Sequence, residues 1–152
     1  MKDKKVIAVI GCGRIARLSH FPAFTQMDNI RIKYACDIIP QKAEKMKEDF
    51  PIIENCIADY KDALSDPEVE IVYVLTPNYS HYTITMDALA ANKHVFCEKP
   101  ITVNYELSCK MAEEANKRGL LLNIGVCNRF NKSIELLEEM NKEGKFGNML
   151  AQ

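Results

Sequence analysis

Three groups of residues in this chain have the types and spacing to do chemistry. The first is Gly11-Cys12-Gly13-Arg14-Ile15-Ala16, a G-x-G-x-x-A run directly after the apolar stretch Val6–Ile10. Glycine at its first position permits a tight turn from strand into helix. At the third position it leaves no Cβ to block a pyrophosphate, and Ala16 keeps helix and strand close. Peptide N–H groups at the helix start, those of Arg14 and Ile15 among them, would then meet the phosphates together with the helix dipole. A carboxylate, Asp37, closes the next apolar stretch, "RIKYACD". There it can accept hydrogen bonds from an adenosine ribose and repel a 2′-phosphate, which favours NAD. Arg14 and Arg17 keep NADP open, because arginine pairs well with phosphate. The competing use of Asp37 is to cap the helix after Pro40.

The second group is "TPNYSH", which supplies Thr76, Pro77, Asn78 and His81 after the strand-like "EIVYVL". The third is "HVFCEKPI", which ends a buried-looking strand with Glu98 and Lys99 ahead of Pro100. A further run, "NIGVCNRF", brings Asn128 and Arg129 to the same expected edge. In open parallel sheets, ligands bind beyond the carboxyl ends of the strands, so these groups would converge. His81 reads as a cofactor- or substrate-side contact, or else as a partly exposed histidine at a helix start. Glu98-Lys99-Pro100 in isolation would be a solvated turn with a surface ion pair. His20, near the end of the first helix, and His94, at the start of a strand, are not candidate bases.

The elements that would position these residues alternate along the chain. Strands are expected at Val6–Ile10, Ile30–Cys36, Ile52–Ala58, Glu70–Leu75, Lys93–Cys97 and Leu120–Val126. Helices are expected from Arg14 to about Phe24, at Gln41–Phe50, briefly at Tyr60–Leu64, at Ser80–Ala91 with Tyr82, Met86 and Leu89 inward, and at Ser133–Lys142. Another starts at an Asn104 N-cap, turns Leu107, Met111 and Ala115 inward, and stops at a C′ glycine, Gly119. This rhythm means βαβ units with right-handed crossovers. The fold class is α/β: a doubly wound, mainly parallel six-stranded sheet with helices on both faces. A dinucleotide-binding domain is expected over residues 1–145. The closing "GKFGNMLAQ" reads as a turn into a new strand, so residues 146–152 are expected to begin a truncated second domain.

Composition narrows the partners. The chain has 152 residues, 47% hydrophobic and 27% charged, with twenty basic side chains against twenty-one acidic and a formal charge of −1. Such a balance gives no support for a nucleic-acid partner. No apolar run approaches the roughly 18 residues of a membrane span. The basic N-terminus is followed by only a short apolar stretch and no cleavage region, so the expected compartment is the cytoplasm. The six cysteines form no C-x-x-C pair and have no histidine at metal spacing, and they read as reduced structural thiols with no metal site.

Taken together, "VIGCGRIA", "TPNYSH", "HVFCEKP" and "RF" after the sixth strand, in this order and spacing, resemble the Gfo/Idh/MocA dehydrogenases. The resemblance covers essentially the whole chain. It implies a Rossmann domain followed by an α/β domain with the substrate face and oligomer interface, and therefore a homo-oligomer. The implied reaction is hydride exchange between NAD(P) and a sugar, cyclitol or related hydroxy compound. On this resemblance Lys99 lies between nicotinamide and substrate and helps the hydroxyl proton leave. Glu98 orients Lys99 or the nicotinamide ribose, and Lys99–Pro100 is a candidate cis bond. Family members also carry an Asp-x-x-x-His element in the second domain, which has no counterpart here, so this chain alone is expected to bind dinucleotide without turnover. Two other readings stay open: a non-catalytic NAD(P) sensor or transcriptional regulator, and a biliverdin-reductase-like enzyme.

Overall fold

The computed structural model describes residues 4–147. Its sheet has six strands, all parallel, in the order β3-β2-β1-β4-β5-β6. The strands are β1 (Lys5–Ile10), β2 (Ile30–Cys36), β3 (Ile53–Ile57), β4 (Ile71–Val74), β5 (His94–Cys97) and β6 (Leu122–Ile124). A π turn, Ala16–His20, runs directly into α1 (Phe21–Phe24). The remaining helices are α2 (Pro40–Asp49), α3 (Tyr60–Ser65), α4 (Asn78–Ala90), α5 (Tyr105–Arg118) and α6 (Lys132–Lys142). A 3-10 turn, Cys127–Phe130, precedes α6.

β1 shows why the sheet is covered on both sides. Successive strand side chains point to opposite faces. Val6, Ala8 and Ile10 therefore join one core with Val72, Val74, Ala88 and Leu89, while Ile7 and Val9 join another with Ala16, Phe21, Ile32 and Met46. A strand buried on both faces must be apolar throughout, which is the continuous run read in the sequence. Crossing from β3-β2-β1 to β4-β5-β6 reverses the winding between β1 and β4, and a crevice opens at their carboxyl ends.

Several elements fall where the spacing puts them. β2 matches residue for residue, Asn104 Oδ1 accepts the Leu107 N–H at 3.1 Å, and Gly119 adopts the left-handed φ of 66°. Other expectations shift. α4 begins at Asn78 and buries His81, Ile84, Thr85, Ala88 and Leu89 on its inward face. Of the expected stripe, Leu89 is fully buried and Met86 packs half-buried against the same core, while Tyr82 is only half-buried. Small and polar residues on that face disguised its period. β6 is only three residues long, and the chain beyond it coils into the 3-10 turn instead of extending to Val126. The expected second domain at residues 146–152 lies almost wholly outside the described residues.

Candidate functional site

At the β1–β4 switch point the glycine turn is wedged between strand ends. The Gly11 N–H donates to Cys36 O at 2.8 Å, and Leu75 N–H donates to Ile10 O at 2.8 Å. Gly11 has φ 102°, and a Cβ on it would lie 2.7 Å from Leu75 O. Only glycine fits both that φ and that approach. Gly13 differs, since a Cβ there would meet nothing within 4 Å and would project into open space. Its carbonyl accepts the Arg17 N–H, and Ala16 behind it is fully buried against the sheet. Arg14 and Ile15, at the start of the helix, are both exposed.

Asp37 sits across the crevice at the end of β2. Its Oδ2 accepts the Cys12 N–H at 3.0 Å, and its Oδ1 accepts the Ile39 N–H at 2.9 Å. One carboxylate thus ties the glycine turn to the β2–α2 connection. Between them opens a cleft of about 590 Å³, lined by Gly11, Gly13, Asp37, Thr76 and Pro77, with Ile38, Ile39 and Tyr79 along its rim. Those three apolar side chains are 83%, 44% and 79% exposed, which suits them to sandwich a flat ring. Lys42 and Tyr60 complete one wall. Burial and a 2.6 Å hydrogen bond to Asp87 push the Tyr60 hydroxyl up to about 12, so it stays protonated at neutral pH. The Cys12 thiol is likewise pushed up to about 12 by burial and by Asp37, which makes it a packing group and not a nucleophile. A smaller cavity of about 240 Å³, near Phe24, Met27 and Ile52, lies at the amino ends of the strands, away from these groups.

On the far side of β4 the other expected residues form a second cluster. His81 is buried, not partly exposed. Its Nε2 lies 2.8 Å from Thr76 O and its Nδ1 2.8 Å from Pro100 O. Both ring nitrogens are therefore engaged with carbonyls, and the ring staples the β4 exit to the β5 exit. Asn78 is exposed on the first turn of α4, with Thr76 Oγ1 and Pro77 O both 2.8 Å from Ser80 Oγ. The Lys99–Pro100 bond is cis, and Lys99 is exposed, with no ion pair to its ammonium among the described residues. That last observation corrects the surface ion-pair reading of the Glu98-Lys99 turn. Asn128 sits in the exposed 3-10 turn beyond β6, so it is not at a strand end as expected and does not line the cleft.

Glu98 has partners the sequence did not announce. Its Oε1 accepts a hydrogen bond from His20 Nε2 at 2.8 Å, and its Oε2 accepts the Lys99 N–H at 3.0 Å. Gly125 packs so closely that a Cβ would lie 2.9 Å from Oε1. Both His20 and Glu98 side chains are only 13% exposed. Sequence reasoning missed His20 because it assumed a regular α-helix. The π turn, in which Phe21 N–H bonds Ala16 O, adds one residue to the turn and swings His20 toward β5. Gly125 left a weak signal, a glycine at the end of an apolar strand, which often marks close approach of other atoms.

A six-stranded parallel sheet in this order, with a glycine turn and an acidic strand end at its switch point, defines a Rossmann dinucleotide-binding domain. The family model described as "Oxidoreductase family, NAD-binding Rossmann fold" (Gfo/Idh/MocA) matches residues 5–126, and the chain belongs to that family. Among its relatives is inositol 2-dehydrogenase/D-chiro-inositol 3-dehydrogenase of Lactiplantibacillus plantarum, 30% identical over 95% of this chain and 41% of that enzyme. Another is the NADP(+) scyllo-inositol 2-dehydrogenase IolW of Bacillus subtilis, 29% identical over 93% of this chain and 38% of that enzyme. Among solved structures, KijD10, a 3-ketoreductase from Actinomadura kijaniata in complex with NADP, superposes with a TM-score of 0.86 at 27% identity. That superposition covers 93% of this chain and 43% of KijD10. The chain thus spans well under half the length of the relatives it matches.

Proposed function

We propose that this chain is the cofactor-binding part of an NAD-dependent dehydrogenase acting on a hydroxyl-bearing carbon of a cyclitol or sugar. The observation that carries the reading is the distribution of groups along the carboxyl edge of the sheet. Asp37 stands at β2, the glycine turn at β1, Thr76 at β4, and Glu98 with Lys99 at β5. Neighbouring strands are about 4.8 Å apart, so β2 to β5 spans roughly 14 Å, a length suited to an extended dinucleotide. The open space at Gly13 fits a pyrophosphate, and Ile38, Ile39 and Tyr79 fit an adenine. Asp37 suits the ribose hydroxyls of NAD and disfavours a 2′-phosphate, although NADP is named with two of the similar proteins.

Bound NAD would supply the hydride acceptor. Lys99, exposed and unpaired among the described residues, offers its ammonium to the oxygen of the carbinol and stabilises the charge that develops there. Glu98 fixes the backbone from which Lys99 projects, through the Lys99 N–H. The six cysteines, all free, accord with a reducing, cytoplasmic setting. The partners in this reading are a small polyol or sugar and further copies of the same protein. Calorimetric titration of the 152-residue chain with NAD and NADP tests it. NAD should bind more tightly, and Asp37→Ala should erase the preference. Tighter binding of NADP by the unaltered chain would overturn the NAD assignment.

A further inference from the structure

Resting on that reading, we propose that His20 is a positioning residue for the nicotinamide half of the site. It is anchored in the first helix and acts on Lys99 through Glu98. Four features of the geometry converge on this. His20 and Glu98 are 78 residues apart in sequence, yet their side chains meet at 2.8 Å with little exposure. An ionised carboxylate only accepts, so Nε2 carries the proton in this bond. The ring itself cannot swing freely, because it stands edge-on to Phe96 at 5.4 Å and to Tyr73 at 6.1 Å, with Phe24 at 6.0 Å. From the other side Gly125 leaves no spare volume around the carboxylate, and the second carboxylate oxygen holds the Lys99 N–H.

The chain of contacts is therefore His20 to Glu98 to the Lys99 backbone, and each link has one geometry. It also joins the two halves of the crevice. The helix that begins at the glycine turn, where the pyrophosphate would bind, carries the imidazole that fixes the β5 turn. Without the imidazole, Glu98 would keep its bond to its own neighbour but lose the partner that sets its rotamer. The Lys99 turn would then loosen while the glycine turn and Asp37, whose hydrogen bonds involve none of these atoms, stayed in place.

The experiment uses the 152-residue chain and two variants. His20→Phe keeps a ring in the aromatic cluster and removes the hydrogen bond. Gly125→Ala leaves His20 intact and displaces the Glu98 carboxylate from the opposite side. Affinities for NAD and for ADP are compared by calorimetry; ADP keeps the adenosine and pyrophosphate but lacks the nicotinamide riboside. Amide hydrogen exchange at Lys99 and Cys12 is followed by NMR. His20→Phe should weaken NAD binding about tenfold, leave ADP binding within twofold, and speed exchange at Lys99 but not at Cys12. His20→Gln, which restores a side-chain N–H donor, should recover part of the loss. If NAD and ADP weaken equally, or if Lys99 exchange is unchanged, His20 is only structural and the proposal is overturned. Should His20→Phe fail to fold, the same selective pattern in Gly125→Ala decides for the proposal, and its absence decides against it. Failure of the unaltered chain to bind NAD at all would overturn the functional reading together with this one.

Discussion

Gly11 and Gly13 are two residues apart in one motif, yet alanine at each should act on different properties and with opposite sign. Gly11 has φ 102°, and its added Cβ would lie 2.7 Å from Leu75 O, 2.8 Å from Leu75 C and 3.0 Å from Thr76 N. All three contacts are backbone, so no rotamer change relieves them. Holding a non-glycine residue at such a φ costs about 1–3 kcal/mol, and forcing atoms into a packed region costs about 1–3 kcal/mol more. Gly11→Ala should therefore destabilise the fold by roughly 2–6 kcal/mol, which at this size lowers Tm by roughly 5–20 °C. It would also prise β1 from β4 at the point where the cleft opens.

Gly13 has a negative φ and empty space where its Cβ would go. Removing glycine's freedom from the unfolded chain at such a position stabilises by about 0.4–1 kcal/mol. Gly13→Ala should melt at the same temperature as the unaltered chain or a few degrees above it. Because its new methyl fills the space proposed for pyrophosphate, NAD affinity should fall at least tenfold. Thermal unfolding followed by circular dichroism and calorimetric titration with NAD read the two effects separately. A Gly11→Ala Tm within 2 °C of the parent would refute the backbone argument. Unimpaired NAD binding by Gly13→Ala would refute the pyrophosphate cradle.

Three more outcomes follow from contacts elsewhere. His81→Phe removes the ring nitrogens that face Thr76 O and Pro100 O and should destabilise by about 2 kcal/mol or more, measured by urea unfolding; a change below 0.5 kcal/mol would remove the staple from the account. The Lys33 ammonium, 2.6 Å from Asp66 with Tyr34 OH also donating, holds the Asp66 carboxyl down at about 2 from 3.8. A folded-state value below the unfolded one stabilises wherever the carboxyl is ionised, so this contribution is complete above about pH 4 and lost as pH falls toward 2; Asp66→Asn should flatten the urea midpoint across that window. In native protein an alkylating reagent at pH 7.5 should label exposed Cys127 first, and reach Cys12, Cys36 and Cys97, whose thiols burial pushes up to about 12, 12 and 11, only on unfolding.

The parts of the fold legible in the sequence were those where local signals and tertiary demands agree. The apolar run of β1 was readable because both faces of that strand are buried, and the ends of α5 because Asn104 and Gly119 satisfy its terminal groups locally. What stayed hidden depended on departures from regular periods. The register of β2 against β1 slips at Lys33, since Ile7 pairs with Ile32 but Ala8 pairs with Tyr34. That extra residue brings both Lys33 and Tyr34 to Asp66, an arrangement strict strand alternation forbids. The π turn does the same for His20. Period-based reading assigns a side chain to a face by counting, and one inserted residue changes the answer for every position after it.

For Asp37, the sequence offered two uses as alternatives, ribose acceptor or cap of the helix after Pro40. α2 has no side-chain cap, and the carboxylate instead ties two turns together at the cleft, which leaves the ribose role as the proposed one. The carboxylate accepts from Ile39 N–H in its own turn and from Cys12 N–H in the glycine turn, and each oxygen keeps a second lone pair toward the cleft. Glu98 is held in the same manner by His20 and Lys99 N–H. Both carboxylates at the sheet edge are thus fixed before any ligand arrives. An acceptor already immobilised loses little further freedom on binding, which raises affinity without adding a contact. It also means that neither acid can be removed cleanly. Asp37→Ala takes away the proposed ribose acceptor, which should cost NAD more affinity than NADP and so erase the preference, and it untethers the turn that would hold the pyrophosphate, which should weaken both. Cofactor preference is therefore carried by the ratio of the two affinities, and the absolute loss measures the turn.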